Sequence, residues 1–421
     1  MKNKVLLGSF MFVVIVMFLM GVCTTNSLAK DKIIIGAARP LSGPLAFFEA
    51  NAFGPIYKMW VDEVNAKGGI YVKEYGKKLP VEMLVYDDKS DMGTMTRLLE
   101  KLILEDKVDF IFAPASTAFL FAAGAIANRH GYILMGCEGG ATSIKQMLPG
   151  MPYFFGVIQF SDHNQMPVLA EIYKEVGVKS AAVMFIEDLH GIEYSGVANR
   201  EFSKKGIEVK MMKSAPPGIK DVSHILKQAQ KLKVDAFCAF VYPDTCFLAT
   251  GQAQALGINF KAFLLGPGGN FEVYRKIFGD KVIEGVMGEG AWNAKSSPAA
   301  KDFVKRYTAR YDPSTLDWWG HIQYYAALQM FEQSIERAGT LNQKKVRDVM
   351  ATQKFDTVLG PSWYQTFGEG GGGITAVECF PGQIGQWQKG IFEVVDPGKK
   401  RTAPPIYPKP NWPKPKPKPK K

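Results

Sequence analysis

The five histidines, His130, His163, His190, His224 and His321, are scattered through the 421 residues, with no HExxH and no pair at metal-ligand spacing, so no zinc centre is expected. A serine hydrolase would carry its nucleophile on a GxSxG elbow, and a phosphate-cradling loop would read GxxxxGK[ST]; neither occurs. Gly368-Glu369-Gly370-Gly371-Gly372-Gly373 satisfies GxGxxG in its letters. A dinucleotide loop must end on a helix N-terminus, however, and Ile374-Thr375-Ala376-Val377 reads as a strand, so this is a surface loop. Cys137, Cys238, Cys246 and Cys379 form no CxxC and no Cys/His ligand set; a chain this long buries a core unaided, and at most one bridge is expected. No enzyme, no cofactor and no metal follow from these residues. Binding chemistry is what remains, and the elements that would position it come next.

Short buried-type strands alternate with helical patterns, the mark of parallel α/β sheets. In a first series, strands are expected at Lys32–Gly36, Pro80–Tyr86, Val108–Phe112 and Tyr132–Cys137, with Met95, Leu98, Leu99 and Leu102 marking one face of a helix. A second series follows the same grammar, with strands at Ala181–Ile186, Ile207–Met211, Val234–Val241 and Lys261–Leu265. Lys107-Val108-Asp109-Phe110 and Lys233-Val234-Asp235-Ala236 occupy the same helix-to-strand position in the two series. Two similar lobes are therefore expected. A strand at Val282–Met287, helices at Lys301–Tyr311, Trp319–Arg337 and Lys344–Thr352, and strands at Ile374–Phe380 and Gln383–Val395 complete the chain. Ligands of open α/β sheets sit beyond the carboxyl ends of the strands, so two facing lobes make a binding cleft.

The formal charge of +11 does not mark a nucleic-acid binder. Two lysines lie in the leader and nine basic residues lie beyond Asp396, which leaves residues 30–398 formally neutral. A phosphate-binding surface needs uncompensated charge on the fold itself. Residues 1–29 read as a signal peptide: Lys2 and Lys4, an apolar run from Val5 to Val22, and Ser27-Leu28-Ala29 before the cut. The mature chain is then periplasmic or extracellular, with lipidation at Cys23 or a retained anchor as alternatives. Residues 399–421, rich in alternating Pro and Lys, read as a disordered polyproline-like tail with little to pack.

Ile35-Gly36-Ala37-Ala38-Arg39-Pro40-Leu41-Ser42-Gly43-Pro44, Val64-Asn65-Ala66-Lys67-Gly68-Gly69-Ile70 and Val85-Tyr86-Asp87-Asp88 resemble the opening of the leucine/isoleucine/valine-binding proteins, receptors of branched-chain amino acid ABC importers. Leu265-Gly266-Pro267 and Thr357-Val358-Leu359-Gly360-Pro361 continue the likeness, which spans roughly 32–398. The resemblance implies the type I periplasmic-binding fold: two doubly wound lobes joined by a three-stranded hinge. It places the N-terminal lobe at 30–156 and 290–360 and the C-terminal lobe at 157–289 and 361–398. Crossovers fall near Phe155–Ser161, Gly288–Asn293 and Leu359–Gln365.

By the same resemblance, Ser116 with Thr117 and the loop Gly139-Gly140-Ala141-Thr142 would hold a ligand carboxylate, while Phe48, His190 and Tyr242 would line the cleft. Small residues in both loops let backbone N–H groups and hydroxyls converge, and each loop is expected to open a helix whose positive end favours an anion. His190 is expected in a loop after Ile186-Glu187-Asp188. Amino-acid-binding members carry an acid after the second-lobe Gly-Pro, to pair with the ligand ammonium; here that position is Gly268. The implied function is the substrate-binding component of an ABC importer, a monomer that captures an amino acid or related small carboxylate by hinge closure and delivers it to permease subunits. A carboxylate binder without an ammonium site, or a sensory receptor of the same fold, is the alternative.

Overall fold

The computed structural model describes residues 30–158 and 160–413; the leader and Lys414–Lys421 lie outside the described residues. The first sheet begins with β1 (Ile33–Arg39), followed by a small hairpin of β2 (Ile70–Val72) and β3 (Lys77–Leu79), then β4 (Val81–Asp87), β5 (Phe110–Phe112), β6 (Leu134–Cys137) and β7 (Phe154–Gly156). The second sheet takes β8 (Ser180–Ile186), β9 (Glu208–Ala215), β10 (Ala236–Phe240), β11 (Ala262–Gly266) and β12 (Val286–Glu289). The chain returns to the first sheet for β13 (Lys354–Thr357), β14 (Gly360–Thr366) and β15 (Gly373–Thr375), and ends in the second with β16 (Ile384–Gln388) and β17 (Ile391–Val394). Strand order is β13-β14-β15-β7-β6-β5-β1-β4 in one sheet and β17-β16-β12-β11-β10-β8-β9 in the other.

Both faces of each sheet are covered, which is why the strands read as continuous apolar runs. In β5, Phe110 and Phe112 enter one core and Ile111 the other; in β8, Ala182 and Met184 face one core, Ala181 and Val183 the opposite one. The helix Met92–Leu104 starts at Asp91, whose carboxylate accepts the Thr94 N–H at 2.7 Å, and buries Met95, Leu98, Leu99 and Leu102. The repeated Lys-Val-Asp motif is one structural device used twice. Lys107 and Lys233 each take φ near +51° after a helix. Asp109 and Asp235 then accept the amides that open the neighbouring strands, Ile34 at 2.7 Å and Lys179 at 2.8 Å.

The structure corrects the sequence reading in three places. The stretch 359–365 is not the third crossover: Thr357 pairs with Gly360 in a tight hairpin, so β14 stays in the first sheet. The glycine-rich turn then folds β15 back beside β7, and the chain crosses at 376–383. The N-terminal lobe accordingly extends beyond 360. Only Gly373–Thr375 of the expected strand 374–380 is extended, because Val377–Cys379 coils into one helical turn.

The third correction concerns the tail, whose described residues 399–413 pack on the second lobe. Gln386 and Ile406 exchange hydrogen bonds of 2.7 and 3.0 Å, the Lys409 N–H reaches the Lys261 carbonyl at 2.6 Å, and the Trp412 indole N–H reaches the Ile258 carbonyl at 2.6 Å. Extended Pro-rich backbone leaves its carbonyls and remaining N–H groups free, and Ile406 and Trp412 give it apolar anchors. Cys238, Cys246 and Cys379 are free and buried.

Candidate ligand-binding site

A small cavity lies between the lobes, walled by the segments that leave the carboxyl ends of β1, β5, β6, β8, β10 and β11. The lobes are closed upon it. Phe48 meets Tyr242 edge to face at 5.5 Å, Phe47 meets Phe271 at 5.2 Å, and the Asn270 amide donates across the cleft to Asp317 at 2.8 Å.

From the first lobe the cavity receives Phe48, Phe53, Ser116, Thr117, Glu138 and Gly140, together with Leu45, Ala115 and Trp319; from the second it receives His190, Tyr194, Tyr242 and Pro267. Ile158 contributes from the first crossover. Trp319 reaches in because Gly290, at φ +55°, has no side chain: a Cβ there would lie 1.8 Å from the indole.

Six of the ten residues named from sequence meet at this cavity: Phe48, Ser116, Thr117, Gly140, His190 and Tyr242. Ser116 stands at the N-terminus of the helix Thr117–His130 with φ +79° and makes no side-chain capping bond. A serine in the left-handed region is strained. Ser116 and Thr117 line the cavity at the start of this 14-residue helix, whose first-turn N–H groups have no intrahelical acceptor, and the Ser116 hydroxyl bonds to Tyr242.

Four residues stand outside. Gly139 packs beneath that helix, where a Cβ would touch Leu120 and Thr117. Ala141 is fully buried, and the Thr142 hydroxyl pairs with Ser161 at 3.1 Å. The helix after Thr142 is one turn, Ile144–Met147, and begins past Ser143, so no helix dipole points from that loop into the cleft. Gly268, at φ +146°, is turned toward Pro243 and Cys246, while its neighbour Pro267 forms the wall. His190 sits in the first turn of the helix Leu189–Lys204 and not in a loop.

Tyr194 and Trp319 were not anticipated. Tyr194 lies four residues after His190, so helical spacing carried a signal for it. Trp319 arrives from the segment between two first-lobe helices, and no local pattern announces it. Phe53 follows Phe48 through the wide helical turn Glu49–Phe53, whose period an ordinary helical wheel misses.

Glu138 is the one charged side chain among the described lining residues, and it is held from behind. Arg39, with no exposed surface, donates to Glu138 at 3.2 Å, to Glu49 at 2.7 Å and to the Ala113 carbonyl, while the Tyr57 hydroxyl donates to Glu138 at 2.8 Å. Burial nevertheless pushes the Glu138 carboxyl up to about 8. Across the cavity, the Tyr242 hydroxyl donates to Asp188 at 2.6 Å. His190 stacks on Tyr242, 5.6 Å away, and lies tilted against Tyr194, 4.3 Å away. Burial pulls its pKa down to about 4 against the attraction of Asp188, so the imidazole is neutral at pH 7.

Among the described residues no group of acidic, His and Cys side chains could hold a metal ion, and no helix is long and apolar enough to cross a membrane. Two doubly wound lobes, crossed three times by the chain and closed on a small, largely apolar cavity with Ser116 and Thr117 in its wall, define a solute-binding protein. Residues 32–383 match the periplasmic binding protein family, and the chain belongs to it.

The chain is similar to the leucine-, isoleucine-, valine-, threonine- and alanine-binding protein of Pseudomonas aeruginosa, 25% identical over 342 residues, which cover 79% of this chain and 86% of that one. The fold is shared with a branched-chain amino acid transporter substrate-binding protein from Streptococcus pneumoniae solved with isoleucine: TM-score 0.71, 20% identity, 86% of this chain and 98% of that one. It is shared also with a solute-binding protein of an ABC transporter from Rhodopseudomonas palustris solved with benzoate: TM-score 0.70, 17% identity, 89% of this chain and 98% of that one.

Proposed function

We propose that this protein is the substrate-binding component of an ABC importer and captures a small carboxylate that carries no ammonium group. The observation that carries the reading is the second-lobe wall of the cavity. It consists of His190, Tyr194, Tyr242 and Pro267, with no acid. A buried ammonium there would have no counter-charge, and leaving a buried charge unpaired typically costs ~3 to 5 kcal/mol. Glu138 does not supply one, because Arg39 and Tyr57 already occupy it.

Ser116, Thr117 and the first-turn N–H groups of the helix Thr117–His130 are the carboxylate's partners, with Gly140 leaving room beside them. Phe48, Phe53, Tyr194, Tyr242 and Trp319 suit a flat apolar body. Relatives solved or named with branched-chain amino acids and with benzoate show that this scaffold accepts both kinds of ligand.

Capture shifts an open-to-closed equilibrium, and the closed form is what membrane permease subunits distinguish. The protein acts as a periplasmic monomer without a chemical step. Calorimetry against leucine, phenylalanine, benzoate and phenylacetate, paired with small-angle scattering, tests this. Binding of the two deaminated acids with a fall in the radius of gyration is expected. Tight leucine binding with no response to benzoate or phenylacetate would overturn the ligand assignment, and binding without compaction would overturn hinge capture.

A further inference from the structure

The carboxylate would occupy the first-lobe hydroxyls and amides, which leaves one polar atom of the second-lobe wall unaccounted for. His190, 8% exposed, lines the cavity with its Nε2 buried and without a hydrogen-bond partner. Buried polar atoms are rarely left so, because an unpaired one keeps the full cost of leaving water. The imidazole stacks on Tyr242, lies tilted against Tyr194, and sits on the first turn of a helix capped by Asp188, which accepts the Gly191 N–H at 3.0 Å. It cannot swing away to find water without breaking that stack. Its neighbours in the wall have partners of their own or none to offer: the Tyr242 hydroxyl is bonded to Asp188 and Ser116, the Tyr194 hydroxyl to Gln165, and Pro267 has no donor.

We infer that the ligand bears a hydroxyl on its ring as well as its carboxylate, and that His190 Nε2 is the residue that selects for it. A hydroxyl both donates and accepts, so it satisfies Nε2 in either tautomer of a neutral imidazole, whereas a methyl or a bare ring edge satisfies neither. An ammonium here would face a wall without an acid, and a second carboxylate a wall without a cation. The substrate class is therefore a ring-hydroxylated aromatic carboxylate. The same geometry gives His190 a specificity role distinct from the anion-holding role of Ser116 and Thr117. A site built to bond a hydroxyl rejects the analogue that lacks it far more strongly than an apolar pocket rejects an added group.

This inference rests on the reading of the cavity as a carboxylate site, and the test separates the two. Calorimetry on the intact protein compares benzoate with its 2-, 3- and 4-hydroxy derivatives, with glycine betaine as a control for a caged cation. At least one hydroxybenzoate binding about tenfold or more tighter than benzoate is expected. Benzoate binding as tightly as every hydroxy isomer would overturn the inference and leave the carboxylate reading standing. Binding of glycine betaine alone would overturn both.

The ratio of the benzoate to the hydroxybenzoate dissociation constant is then measured in His190→Phe and His190→Gln, each checked for an intact thermal transition. The ratio should collapse toward one in the phenylalanine variant and persist in the glutamine variant, which restores a donor and an acceptor. An unchanged ratio in His190→Phe would show that another group reads the hydroxyl. If neither variant folds, the wild-type comparison decides alone.

Discussion

Replacing Trp412 by alanine tests whether the C-terminal segment is part of the second lobe. The indole N–H donates to the Ile258 carbonyl at 2.6 Å, the ring meets Phe263 edge to face at 5.6 Å, and the Lys409 ammonium lies 3.5 Å from its centre. A net hydrogen bond is worth about 1 kcal/mol, an aromatic pair about 0.5 to 1.5 kcal/mol, and a cation over a ring about 0.5 to 1 kcal/mol. Together these give a loss of roughly 2 to 3.5 kcal/mol, bounded by the cost of peeling the whole segment away. For a lobe of this size that corresponds to a fall in Tm of about 5 to 10 °C. Calorimetric melting of the wild type, of Trp412→Ala and of a chain ending at Ala403 measures it. The shortened chain should lose at least as much as the point variant. A shift below about 1 °C in both would refute the reasoning and return the tail to a passive solvated terminus.

Gly268→Glu, the substitution that would restore the family's acid, should destabilise the protein without creating an ammonium site. A Cβ there would lie 2.8 Å from the Pro243 backbone, at φ +146°, a conformation that L-residues rarely adopt. A gain in leucine affinity at unchanged Tm would contradict this. Glu289→Gln should flatten part of the pH dependence of stability. Glu289 is buried with Oε1 unpartnered, and burial pushes its carboxyl up from the usual range to about 8. The folded state therefore holds this proton more tightly than the unfolded state. Its stability contribution is complete below about pH 4.5 and is lost as pH rises toward 8. Denaturant titrations at pH 5 and pH 8 should show the wild type losing about 1 kcal/mol or more that the variant keeps. Parallel curves would count against the placement.

The sheets were legible because both faces of each are covered, so the strands announce themselves as apolar runs. The lobe repeat was legible because Lys107-Val108-Asp109 and Lys233-Val234-Asp235 perform the same turn and the same amide bridge. Of the site, the residues at strand ends were legible: Ser116, Gly140 and Tyr242 follow β5, β6 and β10 directly. What sequence could not convey was direction. Thr142 and Gly268 sit in the right loops, but one turns to Ser161 and the other to Cys246. Trp319 needed the tertiary fold, since its approach depends on the missing side chain of Gly290, distant in sequence and on another element. The tail was misread for a compositional reason: proline and lysine dominate its letters, and the few residues that anchor it, Ile406 and Trp412, are outnumbered. The late third crossover was hidden because Gly360-Pro361 signals a chain turn equally well in a hairpin and at an exit.

The central claim is capture of a carboxylate by a cleft that has no place for an ammonium, and one matched pair isolates it. Phenylalanine and hydrocinnamate differ only in the α-ammonium group, so the ratio of their dissociation constants, measured by titration calorimetry at pH 7 on the same preparation, reads that group alone. Tighter binding of hydrocinnamate, by tenfold or more, is predicted from a second-lobe wall of His190, Tyr194, Tyr242 and Pro267 that offers no counter-charge. Tighter binding of phenylalanine would show that the cleft pairs an ammonium after all and would contradict the account.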